Sequence, residues 1–221
     1  MQDQIGTLCQ QCGLAASPAQ LQALANYLVL LQRWNATYNL TAVRDPAAML
    51  TQHLADCLAV IPPLQRHAET GRLLDVGSGG GLPGVVIATM LPGWQVTCAD
   101  SVGKKMAFVR QVAGALPLLN LRAEHTRIEQ LKLGPFDVIT SRAFASLADF
   151  IRLTLPYLAP GGVWMAMKGR ASTVELAELP GDDVKVFHVE QLVVPGLDAQ
   201  RCLVWMRPQG AQVSARSHAP A

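Results

Sequence analysis

Charge is scarce in this chain. Lys, Arg, Asp and Glu make up 15% of its 221 residues, while half of them are apolar. A core is then easily buried, which excludes a largely disordered polypeptide. No apolar run reaches the roughly 18 residues that span a bilayer, and Met1-Gln2-Asp3-Gln4 lacks the basic flank of a signal peptide. The five cysteines, Cys9, Cys12, Cys57, Cys98 and Cys202, form an odd, scattered set. A chain this long needs no staples, so reduced thiols and a cytoplasmic location are expected. Cys9-x-x-Cys12 has neither the second pair nor the His cluster that a metal site needs, so no metal is expected.

The length suits one α/β domain with an appendage. The net charge of +2 is unevenly spread. Residues 1–66 carry three basic and three acidic groups, residues 101–170 carry ten against four, and residues 171–221 carry four against six. The middle of the chain can therefore offer a positive face to a polyanion, or merely a solvated surface.

Ser17-Pro18 opens a helix, with Ser as N-cap and Pro where its missing N–H costs nothing. Leu21, Leu24, Leu28 and Leu31 follow at helical spacing, and the helix is expected to end near Trp34. Asp45-Pro46 repeats the signal, with Met49, Leu50, His53, Leu54, Cys57, Leu58 and Ile61 on one face, and Pro62-Pro63 as the stop. Residues 1–66 read as a helical region, 67–208 as the main domain and 209–221 as a flexible tail.

From Arg72 the pattern changes. Strand-like runs at 73–76, 95–100, 118–121, 136–140 and 163–167 alternate with helix-like stretches at 83–91, 104–115, 126–131 and 146–158. That alternation implies right-handed βαβ units and a parallel sheet. Two further runs, 184–189 and 202–207, are placed to close the sheet as an antiparallel hairpin.

The strongest motif is Asp75-Val76-Gly77-Ser78-Gly79-Gly80-Gly81-Leu82-Pro83-Gly84, directly after the first strand. Glycines let the backbone turn tightly and a ligand approach it, and a following helix aims N–H groups at that ligand. Two cofactors fit. Gly79-x-Gly81-x-x-Gly84, with Asp100 about 20 residues on, matches a dinucleotide fingerprint, although Gly79 is late for that register and Pro83 falls inside its turn. The other register, Asp75-x-Gly77-x-Gly79-x-Gly81, is the signature of Rossmann-like S-adenosylmethionine-dependent methyltransferases. An acid beside the loop suits an α-amino group and a sulfonium but repels a pyrophosphate, which favours the second register.

Asp100 ends the second strand, where a carboxylate can accept bonds from ribose hydroxyls or cap the next helix. Ile128-Glu129 follows the third strand, where an apolar side chain can flank an adenine. Residues 140–145, Thr-Ser-Arg-Ala-Phe-Ala, end the fourth strand and lack the Asn/Asp-Pro-Pro-aromatic segment usual for methylation of exocyclic amines. A ring nitrogen with a free lone pair needs no base. Arg142 is then expected to orient the acceptor and Phe144 to pack or stack.

Trp34-Asn35-x-x-Tyr38-Asn39-Leu40-Thr41-Ala42-Val43-Arg44-Asp45, His53-x-x-Asp56, the glycine loop, Asp100-Ser101-x-Gly103-Lys104-Lys105 and Ser141-Arg142-Ala143-Phe144-Ala145-Ser146-Leu147 together closely resemble the bacterial small-subunit ribosomal RNA guanine-N7 methyltransferases, the glucose-inhibited division protein B family. The likeness runs from about Leu21 to Pro208. It implies a Rossmann-like class I methyltransferase fold with an N-terminal helical extension, S-adenosyl-L-methionine as methyl donor, and a guanine of 16S rRNA, free or in a ribosomal particle, as acceptor. It places cofactor contacts at Gly77, Leu82, Ile128, Glu129 and Arg142, beside the Asp75, Gly79 and Asp100 already named. Lys104, Lys105, Arg110, Arg122, Arg127, Lys168 and Arg170 are expected to meet phosphates, with Phe144 at the RNA base. His53 and Asn39 are read as substrate-side polar groups or, by preference, as buried partners holding helix to sheet. A monomer is expected. The rival readings are a nucleotide-dependent oxidoreductase on the other glycine register, and an RNA-binding protein that keeps the fold without turnover.

Overall fold

The computed structural model describes residues 1–142, 144–179 and 183–210. Most of the expected tail, from residue 211 on, lies outside the described residues.

The chain begins with helices α1 (Gln2–Gln11) and α2 (Pro18–Tyr38). The start of α2 is a complete capping box: Gln20 N–H donates to Ser17 Oγ at 3.2 Å, and Ser17 N–H donates to Gln20 Oε1 at 2.9 Å. It runs four residues beyond Trp34 and stops where Asn39 turns left-handed, with φ +49°. Asp45 caps α3 (Pro46–Met49) by accepting Ala48 N–H at 2.7 Å. The single helix expected from there is broken into α3, a π-helical stretch (Leu50–Ala55) and α4 (Asp56–Leu58). Pro62 and Pro63 do not end this segment; they open α5 (Ile61–His67), because proline is tolerated in a first turn whose N–H groups lack helical partners.

Then come β1 (Gly71–Val76), α6 (Gly84–Met90), β2 (Trp94–Asp100), α7 (Gly103–Ala115), β3 (Leu121–His125), β4 (Phe136–Ser141), α8 (Leu147–Thr154), β5 (Leu158–Lys168), α9 (Thr173–Ala177), β6 (Val184–Leu192) and β7 (Arg201–Pro208). The strands form one sheet in the order β3-β2-β1-β4-β5-β7-β6. The first five are parallel, and β7 enters antiparallel between β5 and β6. The expected hairpin therefore exists, with its second strand on the inside.

The third strand lies later than the apolar run 118–121 suggested. Leu119 is 97% exposed in the turn before β3. There Asn120 Nδ2 donates to Ala88 O and Trp94 O, both at 3.0 Å. As an edge strand, β3 needs few apolar residues, and its Arg122 and Glu124 side chains pair with each other. The helix expected at 126–131 is only a 3-10 turn, Ile128–Gln130.

Alternation along β1 sends Leu73 and Leu74 to opposite faces. Leu73 joins a large core with α1, α2, α6 and α7, and Leu74 joins a second core with α8. The N-terminal helices thus share their apolar core with the sheet. Gln20 Nε2 reaches Thr89 O and Met90 O, both at 3.1 Å, closing the end of α6.

Candidate active site

The chain leaves β1 toward β2 on one side and returns as β4 on the other. Such a reversal opens a crevice at the carboxyl ends of the strands. The glycine loop lies across it. Gly77 and Ser78 N–H groups both donate to Ala99 O on β2, at 2.8 and 3.2 Å. From the other side Tyr27 Oη donates to Gly80 O at 2.8 Å, so α2 helps fix the loop.

The glycines divide by role. Gly77 and Gly79 have φ of +67° and +58° and line the first cavity, and a Cβ on Gly79 would meet nothing within 4 Å. At Gly84 a Cβ would come within 2.4 Å of Cys98 Sγ and 3.0 Å of Asp75 Oδ2. Gly84 is there for packing, since its N–H donates to Asp75 Oδ2 at 2.8 Å. That bond uses the first free N–H of α6, which sequence reasoning had aimed at the ligand.

Two cavities meet at Gly77. The first, about 470 Å³, is walled by Leu40, Thr41, His53, Asp56, Gly79, Leu82, Arg142, Lys168 and Arg201 among others. The second, about 440 Å³, is walled by Asp100, Lys105, Ile128, Glu129, Phe144 and Leu153 among others. In the first, Asp56 is buried and accepts Arg142 Nη1 at 3.2 Å on Oδ2 and Arg201 Nε at 2.9 Å on Oδ1. Arg142 Nη1 also reaches Gln52 O at 3.5 Å. One carboxylate therefore aligns two guanidinium groups on the wall.

The family described as rRNA small subunit methyltransferase G (GidB) matches residues 20–204. The chain belongs to this family. A ribosomal RNA small subunit methyltransferase G from Leptothrix cholodnii is 60% identical over 207 residues, covering 93% of this chain and 94% of that one. One from Bordetella avium is 52% identical over 202 residues, covering 90% of each. Among solved structures, TrmN from Thermus thermophilus superposes with TM-score 0.55 at 21% identity, over 72% of this chain and 53% of that one. A SAM dependent methyltransferase from Aquifex aeolicus gives 0.55 at 14% identity, over 73% and 93%. These establish the Rossmann-like class I methyltransferase fold.

Within that fold the expected residues are only partly where the sequence put them. Gly77, Gly79, Leu82, Asp100, Ile128, Glu129 and Arg142 all wall one or both cavities. Asp75 does not. It is fully buried behind the loop, where its Oδ2 braces Gly84. Burial pushes its carboxyl up to about 7. The folded chain then holds a proton that the unfolded chain loses near pH 4. Stability from this group is full below about pH 4 and falls as pH rises toward 7. Asp75→Asn is expected to flatten that fall, read as the urea midpoint at pH 5 and pH 8.

Asp100 does not cap α7, whose N-cap Val102 has no side-chain cap bond. Its Oδ2 accepts Gly79 N–H at 3.0 Å and its Oδ1 accepts Val102 N–H at 2.8 Å. The carboxylate still walls the second cavity.

Three residues expected on RNA are engaged elsewhere. Lys168 Nζ lies 2.7 Å from Glu175 Oε1 and donates to Phe144 O and Ala145 O at 3.3 and 3.2 Å, holding the segment after β4. Lys105 Nζ lies 3.6 Å from Asp100 Oδ2, inside the second cavity. Phe144 packs on Phe150, ring centroids 5.3 Å apart, and walls that same cavity. Lys104, Arg110, Arg127 and Arg170 are exposed.

His53 and Asn39 do not tie helix to sheet. His53 Nε2 lies 2.8 Å from Thr41 Oγ1, and Asn39 is an exposed helix terminator. Asn35, which sequence reasoning missed, ties α2 to the turn that follows it: its Oδ1 accepts Thr41 N–H at 2.8 Å and its Nδ2 donates to Val43 O at 3.0 Å. Tyr27 and Arg201 were missed too, with no local signal to mark either.

Proposed function

We propose that this chain transfers the methyl group of S-adenosylmethionine to N7 of a guanine in 16S ribosomal RNA, as a cytoplasmic monomer. As a family member it is an S-adenosylmethionine-dependent methyltransferase of small-subunit rRNA. Support for the finer statement comes from the first cavity. Among the described residues its sole lining carboxylate, Asp56, is committed to Arg142 and Arg201, and His53 Nε2 is engaged by Thr41 Oγ1. Burial first, and Arg142 second, lower the His53 pKa, which makes its imidazole a weaker base. An exocyclic amine would need a base to remove its proton. Guanine N7 presents a lone pair outside Watson–Crick pairing and needs none.

The residues present fit the cofactor. The left-handed backbone at Gly77 and Gly79 lines the first cavity, a conformation glycine adopts without steric cost. The second cavity offers a carboxylate at Asp100 and apolar walls from Ile128 and Phe144, the donor set and surfaces of an adenosine site. Gly77, Gly79 and Leu82 would hold the amino-acid end, and Asp100, Ile128, Glu129 and Phe144 the nucleoside. The bound cofactor supplies an electrophilic methyl group. The chain's contribution is alignment: Arg142, fixed by Asp56, orients the acceptor base at the junction of the cavities. Arg142, Lys168 and Arg201 wall the acceptor cavity, each already paired with a carboxylate. Among the described residues no helix is long and apolar enough to cross a membrane.

The test is transfer of labelled methyl to 16S rRNA, naked or in small subunits, from cells lacking the protein. N7 labelling is expected in one of the two, with kcat flat from about pH 7.5 to 9, above the titration of Asp75. A rise of unit slope over that range, with chemistry limiting, would contradict direct N7 attack. No labelling of either substrate would favour the binding protein without turnover.

A further inference from the structure

Large aromatic side chains are nearly all enclosed. Among the described residues only Tyr38 and Phe187 are substantially exposed, at 45% and 39%. Phe187 lies on β6, far along the chain from the cavity walls, with the Arg207 guanidinium 5.4 Å above its ring. Tyr38 is different. It is the last residue of α2, and its ring centroid lies 5.0 Å from that of Trp34, one turn earlier, tilted by 39°. Trp34 in turn rests 5.5 Å from Phe108 on α7. The exposed ring therefore stands on a supported stack.

Its place in the chain matters as much. Immediately after Tyr38, the left-handed Asn39 redirects the backbone, so that Leu40 and Thr41 become walls of the acceptor cavity. Asn35 fixes that turn through Thr41 and Val43. Arg44 comes back to the same point, donating from Nη2 to Asn39 Oδ1 at 3.1 Å, with its side chain exposed. An exposed, supported ring and a guanidinium thus share a rigid turn, two residues from the cavity wall. That pairing matches single-stranded RNA, whose unstacked bases lie on aromatic faces while cations meet the phosphates.

We propose that Tyr38 is a stacking platform for a nucleobase of the RNA strand next to the target guanine, with Arg44 at its phosphate. The proposal rests on the RNA-methylation reading above. Its structural alternative is a tyrosine that merely closes α2 by packing on Trp34.

The experiment measures filter-binding affinity and methylation kinetics on 16S rRNA from cells lacking the protein. Tyr38→Leu keeps an apolar side chain against Trp34 but removes the π face. It is expected to weaken RNA affinity and raise KM for RNA by about 5- to 50-fold, with kcat, adenosylhomocysteine affinity and thermal midpoint little changed. Tyr38→Phe is expected to restore affinity to within about twofold, and Phe187→Leu to leave it at the wild-type value. Wild-type RNA affinity in Tyr38→Leu overturns the proposal, as does a loss of RNA affinity in Tyr38→Phe equal to that in Tyr38→Leu. A fall in adenosylhomocysteine affinity and thermal midpoint that matches the fall in RNA affinity assigns Tyr38 a packing role and overturns it too. Affinity needs no turnover. If the wild-type protein fails to methylate RNA, the functional reading falls, while filter binding still decides the platform.

Discussion

Gly77→Val is expected to lower adenosylhomocysteine affinity by at least about 100-fold. Among the described residues Gly77 alone lines both cavities, with φ +67°. A β-branched residue in that conformation costs on the order of 1–3 kcal/mol, and its side chain would project where cofactor and loop meet. Gly79→Ala is a graded comparison, because its Cβ meets nothing within 4 Å. Its cost is limited to about 1 kcal/mol of left-handed strain, and it should retain most binding. Calorimetry with both folded variants checks this. Unchanged affinity in Gly77→Val would mean that the ligand lies elsewhere.

Arg142→Ala is expected to reduce kcat by about 100-fold, the scale of losing a positioning contact, while RNA affinity changes by less than about threefold. Asp56→Ala should do the same to kcat and also destabilise the fold. It leaves Arg142 and Arg201 facing each other without their shared carboxylate. Breaking a fully buried pair costs about 3–5 kcal/mol. Both guanidinium groups keep about a quarter of their surface in water, so about 2 kcal/mol is expected, read by urea unfolding. Single-turnover kinetics with saturating RNA separates the two variants. An Arg142→Ala enzyme with normal kcat and weakened RNA binding would make Arg142 a phosphate contact only.

Much of this was legible locally. Strand–helix alternation gave the parallel sheet, and the acids and glycines at strand ends marked the crevice. Gly77, Gly79, Asp100 and Ile128 wall it as their positions implied. What sequence could not display was the partner each side chain finds across the fold. Arg201 meets Asp56 from 145 residues away because β7 slots in beside β5. Lys168 looked like a phosphate ligand, yet its ammonium is taken by Glu175 and two carbonyls. Asp75 carries the motif's acid but faces into the core, since a glycine at 84 lets α6 approach it. The edge strand β3 was misplaced because exposure on one side removes the apolar pattern that marks a central strand.

These placements also revise where RNA is to be sought. The basic excess of residues 101–170 is partly spent on intramolecular pairs at Lys105, Arg122, Arg142, Arg152 and Lys168. The exposed cations Lys104, Arg110, Arg127 and Arg170, with the exposed Tyr38 and Arg44 at the turn after α2, are the groups left to meet RNA.

The most direct measurement is nucleoside mass spectrometry of 16S rRNA from cells with the protein, without it, and complemented with the wild-type chain or Gly77→Val. One 7-methylguanosine should disappear on deletion, return with the wild-type chain and stay absent with Gly77→Val. An identical methylguanosine inventory in all four strains would contradict the account.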